Sequence, residues 1–165
     1  MTMQYDVKSK YRRGNGVLVN FRTRLKGAFV TLTSSSSVAF TNTDTPDGTG
    51  TYVSSGTVVT VTLNNHGLSV GDNVVLNVTS GNLSTGGFNV VSVTNDNVFV
   101  VTGQASLTSS GNTEVLGPSK VLMIAGSNVG GNSFTIWIPG EGILSDTGIY
   151  VYSSGTDVEN TVFYG

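Results

Sequence analysis

Apolar and polar residues alternate with period two along much of the chain, in short runs broken by Gly, Ser, Asn and Pro. A period of two places successive side chains on opposite faces of an extended strand. Residues 3–13 read as one extended segment, with Val7, Ser9 and Tyr11 on one face and Lys8, Lys10 and Arg12 on the other. Asn15-Gly16 is a hairpin turn signal, because both residues tolerate positive φ. The next strand puts Val17, Val19 and Phe21 on one face. Continued in register, Leu25 joins Phe21, and Arg22, Arg24 and Lys26 share the opposite face. Residues 28–33 (AFVTLT) predict a third strand, and the serine run 34–37 a loop.

Further strands are predicted at 58–63 (VVTVTL), 73–79 (NVVLNVT), 88–94 (FNVVSVT) and 97–102 (NVFVVT). Asn95-Asp96 is a compact hairpin signal between the last two. Residues 66–72 (HGLSVGD) form a turn-rich joint, and 103–119 are again rich in Gly and Ser. The pattern resumes at 121–126, 133–138, 148–153 and 161–165, with a sharp turn at Pro139-Gly140-Glu141-Gly142. Phe134, Ile136 and Ile138 alternate with Thr135 and Trp137. Phe134 is expected in the core; for Trp137 core packing is the default, with cover of the other sheet face or an interface as the alternative. The count is about ten to twelve strands and no helix, an all-β class.

Composition agrees. Gly, Ser, Thr and Asn supply nearly half of the 165 residues, and only 11% are charged. Val and Thr suit strands, and Gly, Asn and Ser suit turns. An apolar content of 38% is enough to bury a core, which argues against disorder. The absence of Cys removes disulfides, thiolate metal sites and cysteine nucleophiles, and a lone His66 removes multi-His metal sites. No metal or cofactor is expected. No apolar run approaches the roughly 20 residues needed to cross a bilayer, and the N-terminus carries no apolar signal core. A soluble chain with no membrane partner is expected.

Charge is segregated. The net charge is −2, yet seven of the eight bases lie in one stretch: Lys8, Lys10, Arg12, Arg13, Arg22, Arg24 and Lys26. Between Gly27 and Ser119 there is no Lys or Arg, while Asp44, Asp47, Asp72, Asp96 and Glu114 are acidic. Such a split points to two surfaces with different roles.

MQYDVKSKY at the N-terminus, RTRLKGAFV at 22–30, IPGEGI at 138–143, GIYVY at 148–152 and TVFYG at 161–165 together resemble a family of small virion structural proteins of marine podovirus-like tailed phages. Its members are shorter and lack the middle section. HGLSVGD, followed by a Val-rich strand and the FNVVSVT and NVFVVT hairpin, resembles a small β-barrel module that recurs in phage fibre, tail and other structural proteins. Residues 38–50 fit neither pattern. The resemblances imply a discontinuous β-sandwich docking domain, residues 1–36 and 118–165, with a β-barrel-like module, 37–117, inserted at a loop. Insertions succeed at exposed loop tips when the guest's termini lie close together.

Other chemistries compete with this reading. His66, Asp72 and a nearby Ser have the residue types of a catalytic triad. The plainer reading makes His66 the start of a tight turn and Asp72 an acceptor of backbone N–H groups. Glu141, Asp146, Asp157 and Glu159 have the residue type for a glycosidase carboxylate pair, but solvated turns account for them as well. Glu141, between two glycines, is expected to bond backbone N–H groups of its own turn. No DxDxDG-type spacing supports Ca²⁺. The basic stretch has Tyr5, Tyr11 and Phe21 near it for stacking, but no nucleic-acid-binding signature, so no nucleic-acid partner is expected. Docking on an acidic protein surface is favoured over a merely solvated strand face.

The reading is therefore a non-enzymatic virion protein, with no catalytic residue and with the seven clustered bases as partner-binding residues. The partner implied by the resemblance is the major capsid protein, which a decoration (cement) protein binds and stabilises, with the inserted module projecting outward. The alternative is a tail or vertex appendage (fibre, knob or adaptor) bound to tail proteins. Self-association, and contact of the inserted module with a host-surface glycan or protein, are further partners considered. The location implied is the capsid exterior, with the host cytoplasm during assembly.

Overall fold

The computed structural model describes residues 7–32, 36–127, 132–153 and 158–165. These contain fifteen strands and no helix. They form two facing sheets and one closed barrel, all with antiparallel neighbours. The first sheet runs β1 (Lys8–Arg13), β15 (Glu159–Tyr164), β3 (Thr23–Thr31), β12 (Ser133–Trp137), with β13 (Ile143–Ser145) on the start of β3. The second runs β11 (Val121–Ser127), β4 (Ser36–Thr41), β14 (Ile149–Ser153), β2 (Gly16–Val19). The barrel runs β10 (Ser109–Leu116), β5 (Gly48–Ser55), β6 (Val58–Thr62), β9 (Val98–Thr102), β8 (Gly86–Asn95), β7 (Asn73–Val78) and back to β10.

Alternation dictates what each sheet buries. Leu25, Ala28 and Val30 of β3 and Val162 of β15 face Val38 and Phe40 of β4 and Val151 of β14, all closed to solvent. The barrel is filled by its own inward residues, among them Tyr52, Val61, Leu76, Phe99 and Val101. A third cluster joins the two bodies. Ala39 and Tyr152 point away from the sandwich core and meet Val75 and Leu116 on the outside of the barrel. The order of layers is thus barrel, second sheet, sandwich core, first sheet.

The barrel strands are continuous in sequence and lie between β4 and β11, which are themselves paired neighbours. Insertion needs only that the two crossing segments run side by side, and they are stitched together. Asn42 N–H donates to Lys120 O at 2.9 Å, and Asp47 N–H to Val115 O at 2.8 Å. Lys120 Nζ meets Asp47 Oδ1 at 2.6 Å and donates to Thr45 O at 2.9 Å. The Asp47 carboxylate also accepts from Gly117 N–H at 2.6 Å.

Three expectations about the elements change. A boundary at 36/37 falls inside β4, which pairs with β11 and β14; the switch to the barrel lies between Thr41 and Gly48. Asn15-Gly16 does not make a hairpin. β1 pairs with β15 and β2 with β14, so the turn is a corner between sheets. There the Asn15 side-chain oxygen accepts from Ser153 N–H at 2.6 Å. Finally, the Gly- and Ser-rich stretches conceal β5 and β10, which pair with each other and help close the barrel. Their glycines are steric requirements. A Cβ on Gly50 would lie 2.2 Å from Thr62 O, and one on Gly111 2.0 Å from Ser80 O. Such close backbone approach in a strand excludes any side chain.

Candidate functional site

The outer face of the first sheet has nothing packed on it among the described residues, and it carries aromatic side chains where alternation leads one to expect polar ones. Register puts Trp137, Gly27, Phe163 and Ser9 in one row across β12, β3, β15 and β1. The next row is Thr135, Phe29, Thr161 and Tyr11. Gly27 leaves room for the Trp137 ring, which would sit 3.3 Å from a Cβ there. Trp137 stacks on Phe163 with centroids 5.1 Å apart and planes 19° off parallel. Trp137 nonetheless stays 68% exposed, Tyr11 55% and Phe29 39%. The default of core packing for Trp137 is thereby corrected: Phe134 and Ile136 take the inward positions opposite Val30 and Ala28, and Trp137 points out.

Tyr11 ties this face to the edge. Desolvation, and then the Glu159 carboxylate to which its hydroxyl donates, raise the Tyr11 phenol above its ordinary value. β1 itself pairs only with β15 among the described residues, so its other edge is open.

The seven bases do not form one surface. Lys8, Lys10 and Arg13 are exposed along β1, Arg13 opposite Glu159. Arg12 turns back over the corner: its Nε donates to Asn15 O at 2.6 Å, and its guanidinium fills the space beside Gly16. Arg22 is exposed and pairs with Asp146 at 3.1 Å. Arg24 is half-buried, and its Nη1 donates to Gly142 O at 3.4 Å. Lys26 is only 8% exposed, beneath the turn that Gly140 and Gly142 make at φ of +69° and +77°. The expected shared face of Arg22, Arg24 and Lys26 fails for two reasons. Residues 20–22 are a bend between β2 and β3, so Phe21 and Leu25 do not share a strand. A bulge against β15 then inserts Lys26 between Leu25 and Gly27 and resets the alternation.

His66 and Asp72 take structural roles. His66 Nδ1 accepts from Leu68 N–H at 3.0 Å, and its Nε2 lies 3.0 Å from Asn95 O, to which it donates. Both ring nitrogens are therefore spent on backbone, and the ring packs edge-on against Phe99. Asp72 accepts from Ser69 N–H at 2.8 Å, a side-chain-closed turn. Of the four carboxylates, Asp146 pairs with Arg22, Glu141 is exposed, and Glu159 lies beside Arg13 and Tyr11. Asp157 lies outside the described residues. No group of three or more His, Cys, Asp or Glu able to hold a metal ion occurs among the described residues.

Sequence reasoning overlooked Phe29 and Phe163 as surface residues. The available signal was phase: each is an aromatic residue directly beside an inward aliphatic position, Val30 and Val162.

No family model and no curated protein matches the chain. Among solved structures the chain is similar to the phage phi92 endosialidase, with a TM-score of 0.37 and 22% identity over 80% of this chain. The match spans 20% of that structure's own length.

Proposed function

We propose that this chain is a structural protein of a phage particle, a capsid decoration protein that docks through the outer face of its first sheet. The observation that carries the reading is the placement of that face. Trp137, Phe163, Phe29 and Tyr11 share that face with Arg13, on the side of the molecule opposite the barrel, while Lys8 and Lys10 are exposed on the other face of the same edge strand. Exposed aromatic patches of this kind mark interaction surfaces, and Trp and Tyr dominate binding energetics. Most of the stretches that resemble small virion proteins fall on this sheet, in β1, β3, β15 and the turn after β12.

Charge selects the occupant. A second copy bringing its own β1 alongside would set Lys8, Lys10 and Arg13 against their like. An acidic protein surface would be steered in by the same residues. The lysines on an open edge also guard against indiscriminate strand pairing; an acidic partner strand can lift that guard and extend the sheet by β-augmentation. The proposed partner is the major capsid protein in its assembled form. Binding only that form stabilises it by mass action. The barrel, with no Lys or Arg, then projects from the shell. The protein acts by binding alone, as a non-enzymatic component.

The test is copy number per purified particle, by quantitative mass spectrometry against the major capsid protein. Hundreds of copies are expected. A handful to a few dozen would replace the shell by a tail or vertex position, and none would overturn a virion role.

A further inference from the structure

We propose that the cleft where the barrel meets the second sheet binds a neutral oligosaccharide. The cleft has a volume of about 560 Å³ and is lined by β8, β9, the 103–104 loop and the far end of β11. That is within the range of small-molecule sites, which favour the junctions of folded bodies. A second depression of about 120 Å³ continues it past Ser37, Phe88 and Gln104. The two depressions share these three residues, so a chain ligand seated in the larger would meet the smaller beside it.

The lining decides the chemistry. None of the residues around either depression is charged. An anionic ligand, whether nucleotide, phosphate or acidic sugar, would find no cation in the groove. The polar groups are amides and hydroxyls instead: Asn73, Asn89 and Gln104, with Thr57 and Thr102. Gln104 offers both donor and acceptor, Asn73 its Nδ2 donors and Asn89 its Oδ1 acceptor, which together match the dual character of a sugar hydroxyl without any charge. Val91, 47% exposed, and Ile124 supply apolar surface for the C–H face of a sugar ring. Such a mix of apolar wall and few convergent polar groups is what orients a ligand in a pocket.

The groove is also rigid at its base. Ser37 Oγ donates to Gly87 O at 2.8 Å, which ties β4 to β8. Gly86 and Gly87 permit that approach: a Cβ on Gly86 would lie 2.4 Å from Ser37 Oγ, and one on Gly87 2.6 Å from Ile124. Asn89 is held in place by its donation to Gly71 O at 3.0 Å and to Asn73 Oδ1 at 3.2 Å. A preformed site loses less freedom on binding than one that must assemble.

The inference does not rest on shell docking, and it is tested on the free full-length chain. The ¹⁵N-labelled protein is titrated with cellohexaose, maltohexaose and a β-1,3-glucan hexamer, and with a galacturonic acid hexamer as the anionic comparator. At least one neutral hexamer is expected to shift the amide resonances of Asn73, Asn89 and Gln104 saturably. Gln104→Ala should weaken that binding about five-fold, the loss of roughly one neutral hydrogen bond. Val91→Glu, at an exposed position, should weaken it as well, with the thermal midpoint of both variants unchanged. The proposal is overturned if no neutral hexamer shifts these resonances at about 10 mM, ten times the concentration that a 1 mM site would need for half-saturation. It is equally overturned if the anionic hexamer binds more tightly, or if the shifts fall on the Trp137 face.

Discussion

Lys120 stands far from the other bases in sequence, and its place in the fold predicts what its partner does. Asp47 joins the two segments that cross between sandwich and barrel, through Lys120 Nζ and the Gly117 N–H, each at 2.6 Å. The ion pair alone is partly solvated, with side chains 44% (Asp47) and 20% (Lys120) exposed, so it contributes at most about 1 kcal/mol. The hydrogen bond from the buried Gly117 N–H to a charged acceptor contributes roughly 1.5–3 kcal/mol. Asp47→Ala removes both and leaves the amide without an acceptor, at an expected cost of about 2–3 kcal/mol. Asp47→Asn keeps an acceptor and should cost about 1 kcal/mol, as should Lys120→Met. Urea denaturation followed by Trp137 fluorescence and far-UV circular dichroism measures the series. Asp47→Ala within about 0.5 kcal/mol of the parent, the range of an ordinary surface change, would refute the reasoning. So would Asp47→Asn matching the alanine variant, since the backbone acceptor would then contribute nothing.

Other consequences can be checked alongside. Burial, followed by the Asp44 and Glu114 carboxylates and Tyr150, pushes the Tyr152 phenol up to about 12. Its folded value lies above the unfolded one, so its contribution is complete below pH 10 and is lost as pH rises towards 12. Tyr152→Phe should abolish that alkaline loss, worth up to roughly 2 kcal/mol after screening; an unchanged pH profile of stability would contradict it. Gly50→Ala should destabilise the barrel by about 1–3 kcal/mol, because the new Cβ meets Thr62 O, and an unaltered melting temperature would show that the β5–β6 contact can relax. Trp137→Ala should leave stability nearly unchanged but weaken docking on purified shells about 30-fold, as a hot-spot residue does. Replacing Lys8, Lys10 and Arg13 by Gln should flatten the salt dependence of docking; a variant that docks with the parent's salt slope would remove these bases from the interface.

Much of the architecture was legible in the sequence, for a physical reason. Wherever one face of a strand is buried and the other wet, period-two alternation survives, and β8, β9 and β12 could be read from it; β7 and β14, whose second face packs between barrel and sandwich, were legible instead as short apolar runs bounded by turn residues. β5 and β10 could not. Gly50 and Gly111 are there because the neighbouring backbone leaves no room for a side chain, and composition cannot distinguish that from a turn. The split of the early strands was hidden too, because the passage from β2 to β3 and the bulge at Lys26 leave no mark on a linear pattern. The charge cluster was visible, but not its dispersal onto an edge, a corner and a covered turn. The aromatic face was written in the chain as residues out of phase with their strand's polar positions, and only the pairing of β12, β3 and β15 shows that they adjoin.

The most direct test of the account is hydroxyl-radical footprinting of the protein free and on purified particles, read residue by residue by mass spectrometry. On the particle, oxidation of Trp137, Tyr11 and Phe29 should fall sharply, while Val53 and Val58 on the outside of the barrel remain as reactive as in the free chain. Undiminished oxidation of Trp137 together with protection of the barrel would show that the molecule docks by its other end, and would contradict the assignment of the first sheet as the docking face.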